Sequence, residues 1–263
     1  MSAPLELTVS GPVAELRLER PDKKNALNFE LLEALAAAGQ ELKARRNIRA
    51  VILHGAGGVF SSGIDLELLQ GVLGRMDEIR RQMLNPPAGE AANLFQKPVT
   101  VWAELDKPVI AAIEGVCFGA GMQLALGADF RIAAPAARLS IMEAKWGLVP
   151  DMGITRSLPR LMRADQAKEL IMTGRILDAP EALSLGLLTR VCDDPLAAAR
   201  ALAADLAGRS PEAVAASKRL VEAAWATPEA LALEAELQAG LMGSPNQMEA
   251  VMAVLQNRAP DFK

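Results

Sequence analysis

Two stretches decide how this chain folds: Ala50-Val-Ile-Leu-His-Gly-Ala-Gly-Gly-Val-Phe-Ser-Ser-Gly-Ile-Asp-Leu66 and Pro108-Val-Ile-Ala-Ala-Ile-Glu-Gly-Val-Cys-Phe-Gly-Ala-Gly-Met-Gln-Leu124. Each starts as an apolar run of strand length and ends in a turn rich in small residues. Such turns can face backbone N–H groups outward at a strand end, because glycine permits tight conformations and close approach. Two N–H donors converging on one buried oxygen stabilise developing negative charge, the device of an oxyanion hole. Either turn alone reads as ordinary strand-to-helix punctuation. The pairing is what points to a buried carbonyl.

Composition narrows the possibilities. A chain of 263 residues that is 51% hydrophobic can bury a large core as one domain with a helical appendage. Charge is nearly balanced, with 28 basic and 32 acidic residues and a net charge of −4. No basic run is interleaved with aromatics, so a nucleic-acid footprint is missing from the pattern. Cys117 and Cys192 lie far apart in apolar segments and read as free thiols of a reducing compartment. The uncharged runs Ala50 to Ile64 and Gly115 to Ala128 are too short for a membrane span. With no signal-like N-terminus, a soluble cytoplasmic protein is expected. The single histidine, His54, excludes a multi-histidine metal site and reads as structural at a strand end.

Outward from the two turns, Leu5–Ser10 and Val13–Leu18 read as a hairpin across Gly11-Pro12. A polar loop, Arg20 to Asn28, leads to a helix from about Phe29 to Arg46, with Asn28 as its N-cap. Strands follow at Ala50–His54, Val109–Ile113, Phe130–Ala133 and Leu139–Ile141, with a short helix over Met122–Ala128. Residues 65–106 are mostly helical or irregular, broken at Asn85-Pro-Pro. Beyond about residue 160 the pattern reads as wholly helical, with caps at Asp178-Ala-Pro-Glu, Ser210-Pro-Glu and Thr227-Pro-Glu. Strands alternating with helices suggest an α/β core. The glycine turns do not match the dinucleotide fingerprint, and a Walker phosphate loop is missing.

Five ordered segments resemble the crotonase superfamily, the enoyl-CoA hydratase/isomerase family, over essentially the whole chain. They are Arg20 to Asn28, Phe60-Ser-Ser-Gly-Ile-Asp-Leu66, Lys107 to Gly115 with Gly119-Ala-Gly121, Met142 to Pro150, and Leu183-Ser-Leu-Gly-Leu-Leu-Thr189. The resemblance implies an α/β spiral of ββα turns over residues 1–195, carrying an acyl-CoA site. Residues 196–263 would form a helical region for assembly as a homotrimer or a hexamer, a dimer of trimers. It also implies an acyl-CoA thioester as substrate and no bound cofactor, coenzyme A entering as part of the substrate. The oxyanion-hole donors fall on the N–H groups of Ile64 and Ala120. Substrate and coenzyme A contacts fall near Lys24, Ala26, Ser62, Gly63, Asp65, Leu66 and Gly119. Asp65 and Glu67 also read as tethers for the following helix.

The acids decide the reaction. Hydratases of the family use two glutamates; here one is present as Glu143, while the other position holds Gln123. An amide cannot act as a general base at neutral pH, though it can hydrogen-bond. Dienoyl-CoA isomerases of the family carry an aspartate where Asp151 stands. A Glu143/Asp151 pair in an apolar pocket can have its proton affinities pushed apart, which suits double-bond migration. Simple enoyl-CoA isomerases need only the glutamate matching Glu143. Other readings stand beside these: Asp151 as a helix N-cap, Glu143 paired with Lys145 or Arg156, and Gln123 as a satisfied buried amide. The expected activity is enoyl- or dienoyl-CoA isomerisation by Glu143, Asp151 and Gln123, with hydration or weakly catalytic acyl-CoA binding as alternatives.

Overall fold

The computed structural model describes residues 3–224 and 244–263. The Thr227-Pro-Glu cap, and with it part of the expected assembly region, lies outside the described residues.

β1 (Leu5–Ser10) and β2 (Val13–Leu18) form the expected antiparallel hairpin, and β2 then pairs in parallel with β3 (Ala50–Gly55). The sheet continues in parallel through β4 (Val109–Ile113), β6 (Phe130–Ala133) and the two-residue β9 (Arg190–Val191). A second, three-stranded sheet holds β5 (Val116–Phe118), β7 (Arg138–Ser140) and β8 (Leu177–Asp178). The chain thus gives a strand to each sheet in turn: β4 then β5, β6 then β7. The corner between β4 and β5 is Glu114-Gly115. A methyl group on Gly115 would come within 2.5 Å of the Gly58 carbonyl oxygen, and its φ is +56°. Only glycine fits there.

The unbroken apolar runs of β3 and β4 follow from burial on both faces. Val51, Leu53, Val109, Ala111 and Ile113 point into the main core, whereas Ala50, Ile52, Ile110 and Ala112 face Ala199 and Ala203 of α9 (Pro195–Ala207). α1 (Phe29–Ala44) is capped by Asn28, whose side chain accepts from the Leu31 N–H. Residues 65–106 carry three helices, α2 (Leu66–Leu73), α3 (Met76–Leu84) and α4 (Lys97–Ala103), with the expected break after Leu84. α5 (Ala120–Leu126) begins two residues earlier than the apolar pattern suggests.

Two expectations are corrected. The chain beyond residue 160 is not wholly helical: β8 and β9 extend the two sheets there. Two residues are too few to show alternation, so pairing with β7 and β6 makes them strands. Asp151 does not cap a helix. α6 (Ile154–Ser157) starts after Gly153, which adopts φ +88°, and Asp151 lies too far ahead to reach its free N–H groups. The caps of α8 (Ala179–Ser184) and α10 (Pro211–Ala224) do form, with Asp178 accepting from Glu181 N at 2.8 Å and Ser210 from Ala213 N at 3.4 Å.

Asn25 pins the Arg20–Asn28 loop to the body. It is fully buried at φ +52°, accepts from Arg20 N at 2.9 Å, and donates to the Ala56 and Val59 carbonyls at 2.9 and 2.6 Å. Asparagine tolerates the left-handed conformation and supplies both donor and acceptor. Asn25→Ala leaves three buried main-chain groups unpaired, so a loss of about 3 kcal/mol is expected. Urea unfolding midpoints would measure it, and a loss below the error of the method would remove Asn25 from this role.

Candidate active site

The first turn is built on Ser61. Its N–H donates to Val116 O at 3.0 Å and its carbonyl accepts from Phe118 N at 3.0 Å, so residues 60–61 run alongside β5. From the other side the Arg20–Asn28 loop closes over Ser62 to Asp65. Ser62 N donates to Lys24 O (2.9 Å), Leu27 N to Gly63 O (2.8 Å), and Asp65 N to Leu27 O (3.0 Å). This parallel bridge uses the groups on either side of Ile64 and leaves the Ile64 N–H turned away from Leu27.

The second turn is set by Gly119, whose N–H donates to Ser140 O at 2.9 Å. Its φ/ψ of +50°/−122° is strained for any residue with a Cβ. The chain reverses there and α5 begins at Ala120, whose N–H therefore has no partner within the helix. The two turns touch. A methyl group on Gly63 would stand 2.9 Å from Phe118 O and 3.7 Å from Ala120 N, and one on Gly121 would collide with Ser61 Cβ at 2.6 Å. Small residues at both turns are what let Gly63-Ile64 sit against Gly119-Ala120.

Glu143 opens a short 3-10 turn, Glu143–Trp146, after β7. A methyl group on Gly119 would lie 3.4 Å from Glu143 Oε1, which puts the carboxyl directly over the second turn. Gln123, one turn into α5 and 1% exposed, donates from Nε2 to Glu143 Oε1 at 2.7 Å. Its own oxygen accepts from Met152 N at 2.8 Å. The amide is thus a satisfied buried group bridging the acid and the turn that follows Asp151. Glu143 Oε2 is buried with no hydrogen-bond partner among the described residues. Glu143 pairs with neither Lys145 nor Arg156, and Arg156 lies nearer Glu104, at 3.8 Å.

Burial pushes the Glu143 carboxyl above its ordinary range and the Asp151 charge adds to the rise, while its own backbone N–H and the Gln123 bond oppose it. Asp151 is likewise pushed up by burial. A buried carboxyl with a free oxygen, set over two small-residue turns, can exchange a proton with a carbon acid held beneath it.

The other candidate residues gather at the first turn. Lys24 is exposed, in the left-handed conformation at φ +49°. Ala26 is buried; its carbonyl accepts from Arg20 Nη1. Ser62 Oγ donates to Lys23 O at 3.4 Å. The Asp65 side chain is spent within the fold, on Arg20 Nη2 at 2.8 Å and the Glu67 N–H at 2.9 Å; despite burial, these hold it below the ordinary carboxylate range. Glu67 pairs with Lys23 at 2.8 Å. Leu66, with Trp146, Leu148 and Val149 after Glu143, exposes apolar surface. His54 stands apart, its Nε2 3.9 Å from Glu15 Oε2, and burial is the main cause lowering its proton affinity below the ordinary imidazole range. Arg20 and Asn25 were visible only as part of a polar loop. Nothing in their spacing announces that they clamp it to the first turn. No group of three His, Cys, Asp or Glu side chains among the described residues could hold a metal ion.

Comparison with known proteins shows which family has this fold. The family model described as "Enoyl-CoA hydratase/isomerase" matches residues 8–263. The carnitinyl-CoA dehydratase of Salmonella typhi is 34% identical, the match spanning 100% of this chain and 99% of that protein. Among solved structures, an enoyl-CoA hydratase from Bacillus anthracis superimposes with a TM-score of 0.90 at 30% identity, covering 99% of each chain. One from Polaromonas sp. JS666 gives 0.89 at 31% identity, covering 98% of this chain and 99% of that one. The chain belongs to the enoyl-CoA hydratase/isomerase family, within the crotonase superfamily, and has the crotonase fold.

The two carboxyls make a direct expectation. Asp151→Asn removes a like charge, so the Glu143 proton should leave at lower pH. The acid limb of the turnover profile, or a carbon-13 titration of the Glu143 carboxyl, reads this. An unmoved or raised limb would mean the two groups do not sense each other.

Proposed function

We propose that this acyl-CoA enzyme moves a double bond along an enoyl- or dienoyl-CoA, with Glu143 as its acid/base. The observation that carries this reading is the state of Gln123. Both of its polar atoms are engaged, with Glu143 and with Met152 N, so the second polar group at the site is a neutral amide and not a second base. The thioester oxygen is held by the Ile64 and Ala120 N–H groups. Glu143 Oε2 takes a proton from the carbon next to the thioester, and the electron pair moves onto the held oxygen as a dienolate. The same carboxyl returns the proton at the far end of the conjugated system, and the carbonyl re-forms. Atoms balance without water. In a dienoyl thioester that carbon lies farther out, where Asp151 becomes the returning acid.

Coenzyme A lies along Lys24, Ala26 and the Ser62–Leu66 stretch, which one loop holds together. The exposed Lys24 ammonium suits phosphate. Leu66, Trp146, Leu148 and Val149 supply apolar surface for the acyl chain. The free thiols Cys117 and Cys192 suit a reducing cytoplasm. Val221, Met248 and Met252 expose apolar surface on α10 and the final helix, Pro245–Leu255, which supports self-association as a trimer or dimer of trimers. Light scattering behind gel filtration should give three or six chain masses; a monomer would overturn that assembly.

Hydration and dehydration form a second reading, favoured by the names of the relatives, a carnitinyl-CoA dehydratase and enoyl-CoA hydratases. Glu143 Oε2 would then activate a water and not a C–H bond. Incubation with a 3-enoyl-CoA and with a trans-2-enoyl-CoA separates the two. Migration predicts conversion of the first to the second with no gain of water, the mass unchanged in ordinary water and raised only by deuterium exchange in heavy water. Rapid gain of one water by the trans-2-enoyl-CoA would overturn migration. Glu143→Gln should lower either activity by about a hundred- to ten-thousandfold. The Ile64 and Ala120 donors keep acyl-CoA binding in that variant.

A further inference from the structure

We infer that Gln123 is a positioning residue that selects which oxygen of Glu143 reacts. The argument starts from a main-chain group whose polarity cannot change. Met152 N–H can only donate, so the Gln123 atom facing it at 2.8 Å must be the amide oxygen. The NH2 end then has to face Glu143 Oε1, 2.7 Å away. The amide cannot flip without setting two donors against each other at Met152 and two acceptors against each other at Glu143. Gln123 is 1% exposed, so water cannot relieve either mismatch.

With the amide fixed, Glu143 Oε1 is an acceptor in both protonation states of the acid. A proton carried by Glu143 must therefore sit on Oε2, the buried oxygen that has no hydrogen-bond partner among the described residues. Oε2 both takes and gives the proton, and Oε1 stays anchored. The same side chain ties three parts of the site together: α5, whose first residue is Ala120, the Glu143 turn, and the Asp151-Met152 segment. The Ala120 end of α5 and the Glu143 acid are thereby tied to each other.

The geometry also explains why an amide suits this position. A glutamate would accept equally well from Met152 N–H, but its other oxygen would face Glu143 Oε1 with like charge. The pair could persist only by sharing a proton, and the two carboxyls would titrate as a coupled unit. Glutamine spares Glu143 a second carboxyl in direct hydrogen-bond contact.

This inference rests on Glu143 being the acid/base, and the test separates the two. Steady-state pH profiles are measured for the wild type, Gln123→Met, Gln123→Glu and Glu143→Gln. In Gln123→Met the loss of the donor to Glu143 should move the acid limb of kcat to higher pH. Its plateau kcat should fall about ten- to a hundredfold, the worth of one charge-assisted hydrogen bond, with KM changed less than about threefold. Gln123→Glu preserves size and the Met152 bond, so it remains informative should Gln123→Met fail to fold. Its profile should gain a titration limb that the wild type lacks. Wild-type profiles in folded Gln123→Met or in Gln123→Glu overturn the inference, as does a loss confined to KM. Full activity in Glu143→Gln instead overturns the assignment of Glu143 while leaving the hydrogen-bond analysis standing.

Discussion

The contact of Ser61 with β5 and the start of α5 is the constraint on which the site depends. It places one strand end against another although the two are far apart in sequence. Two ladder bonds, from Ser61 N to Val116 O and from Phe118 N to Ser61 O, hold the segments at strand spacing. Side chains at Gly63 or Gly121 would not fit within that spacing. The Ser61 hydroxyl completes the clamp by donating to Asn25 O at 2.8 Å. Each bond is modest, about 1 kcal/mol net. The arrangement is rigid because the backbone itself, and not a side chain free to rotate, is what each turn contributes.

Much of this was legible in the sequence because it depends on residue size and apolar continuity. Val109–Ile113 had to be a buried strand, and Gly119-Ala-Gly121 had to be a tight turn, whatever followed. The Asn28 and Asp178 caps were readable for a similar reason, since a cap acts within four residues of itself. What escaped depends on partners distant in the chain. β8 and β9 are strands only because β7 and β6 offer them open edges. Asp151 looked like a cap because proline preceded it, yet Gly153 takes the turn and leaves the aspartate beside Glu143. Asn25 gave no hint that its amide would hold the loop to Ala56 and Val59.

At the acid itself, the decision between charge states rests on how few donors surround it. Removing a carboxylate from water costs several kcal/mol unless partners replace the lost hydration. Glu143 receives the Gln123 amide N–H on Oε1, is helped by its own backbone N–H, and has no ionic partner among the described residues. Arg156, the arginine that follows in the chain, lies toward Glu104 instead. An ammonium or guanidinium in contact with Glu143 would hold the carboxylate ionised and make it a poorer base. The neutral amide orients the group and leaves most of its proton affinity in place.

That balance bears on how the family scaffold can change reactions. Backbone donors that hold a thioester oxygen stabilise charge there for any chemistry that sends charge to it. They therefore cannot select between adding water and moving a double bond. Selection falls to the few side chains above them, and here those are one free oxygen of Glu143, an amide locked by a main-chain N–H, and a nearby aspartate. A water able to add to the substrate would need a second acceptor to orient it. Gln123 has none to spare, since its oxygen is already taken by Met152 N. The main-chain N–H of Met152 thus fixes which way the Gln123 amide faces Glu143.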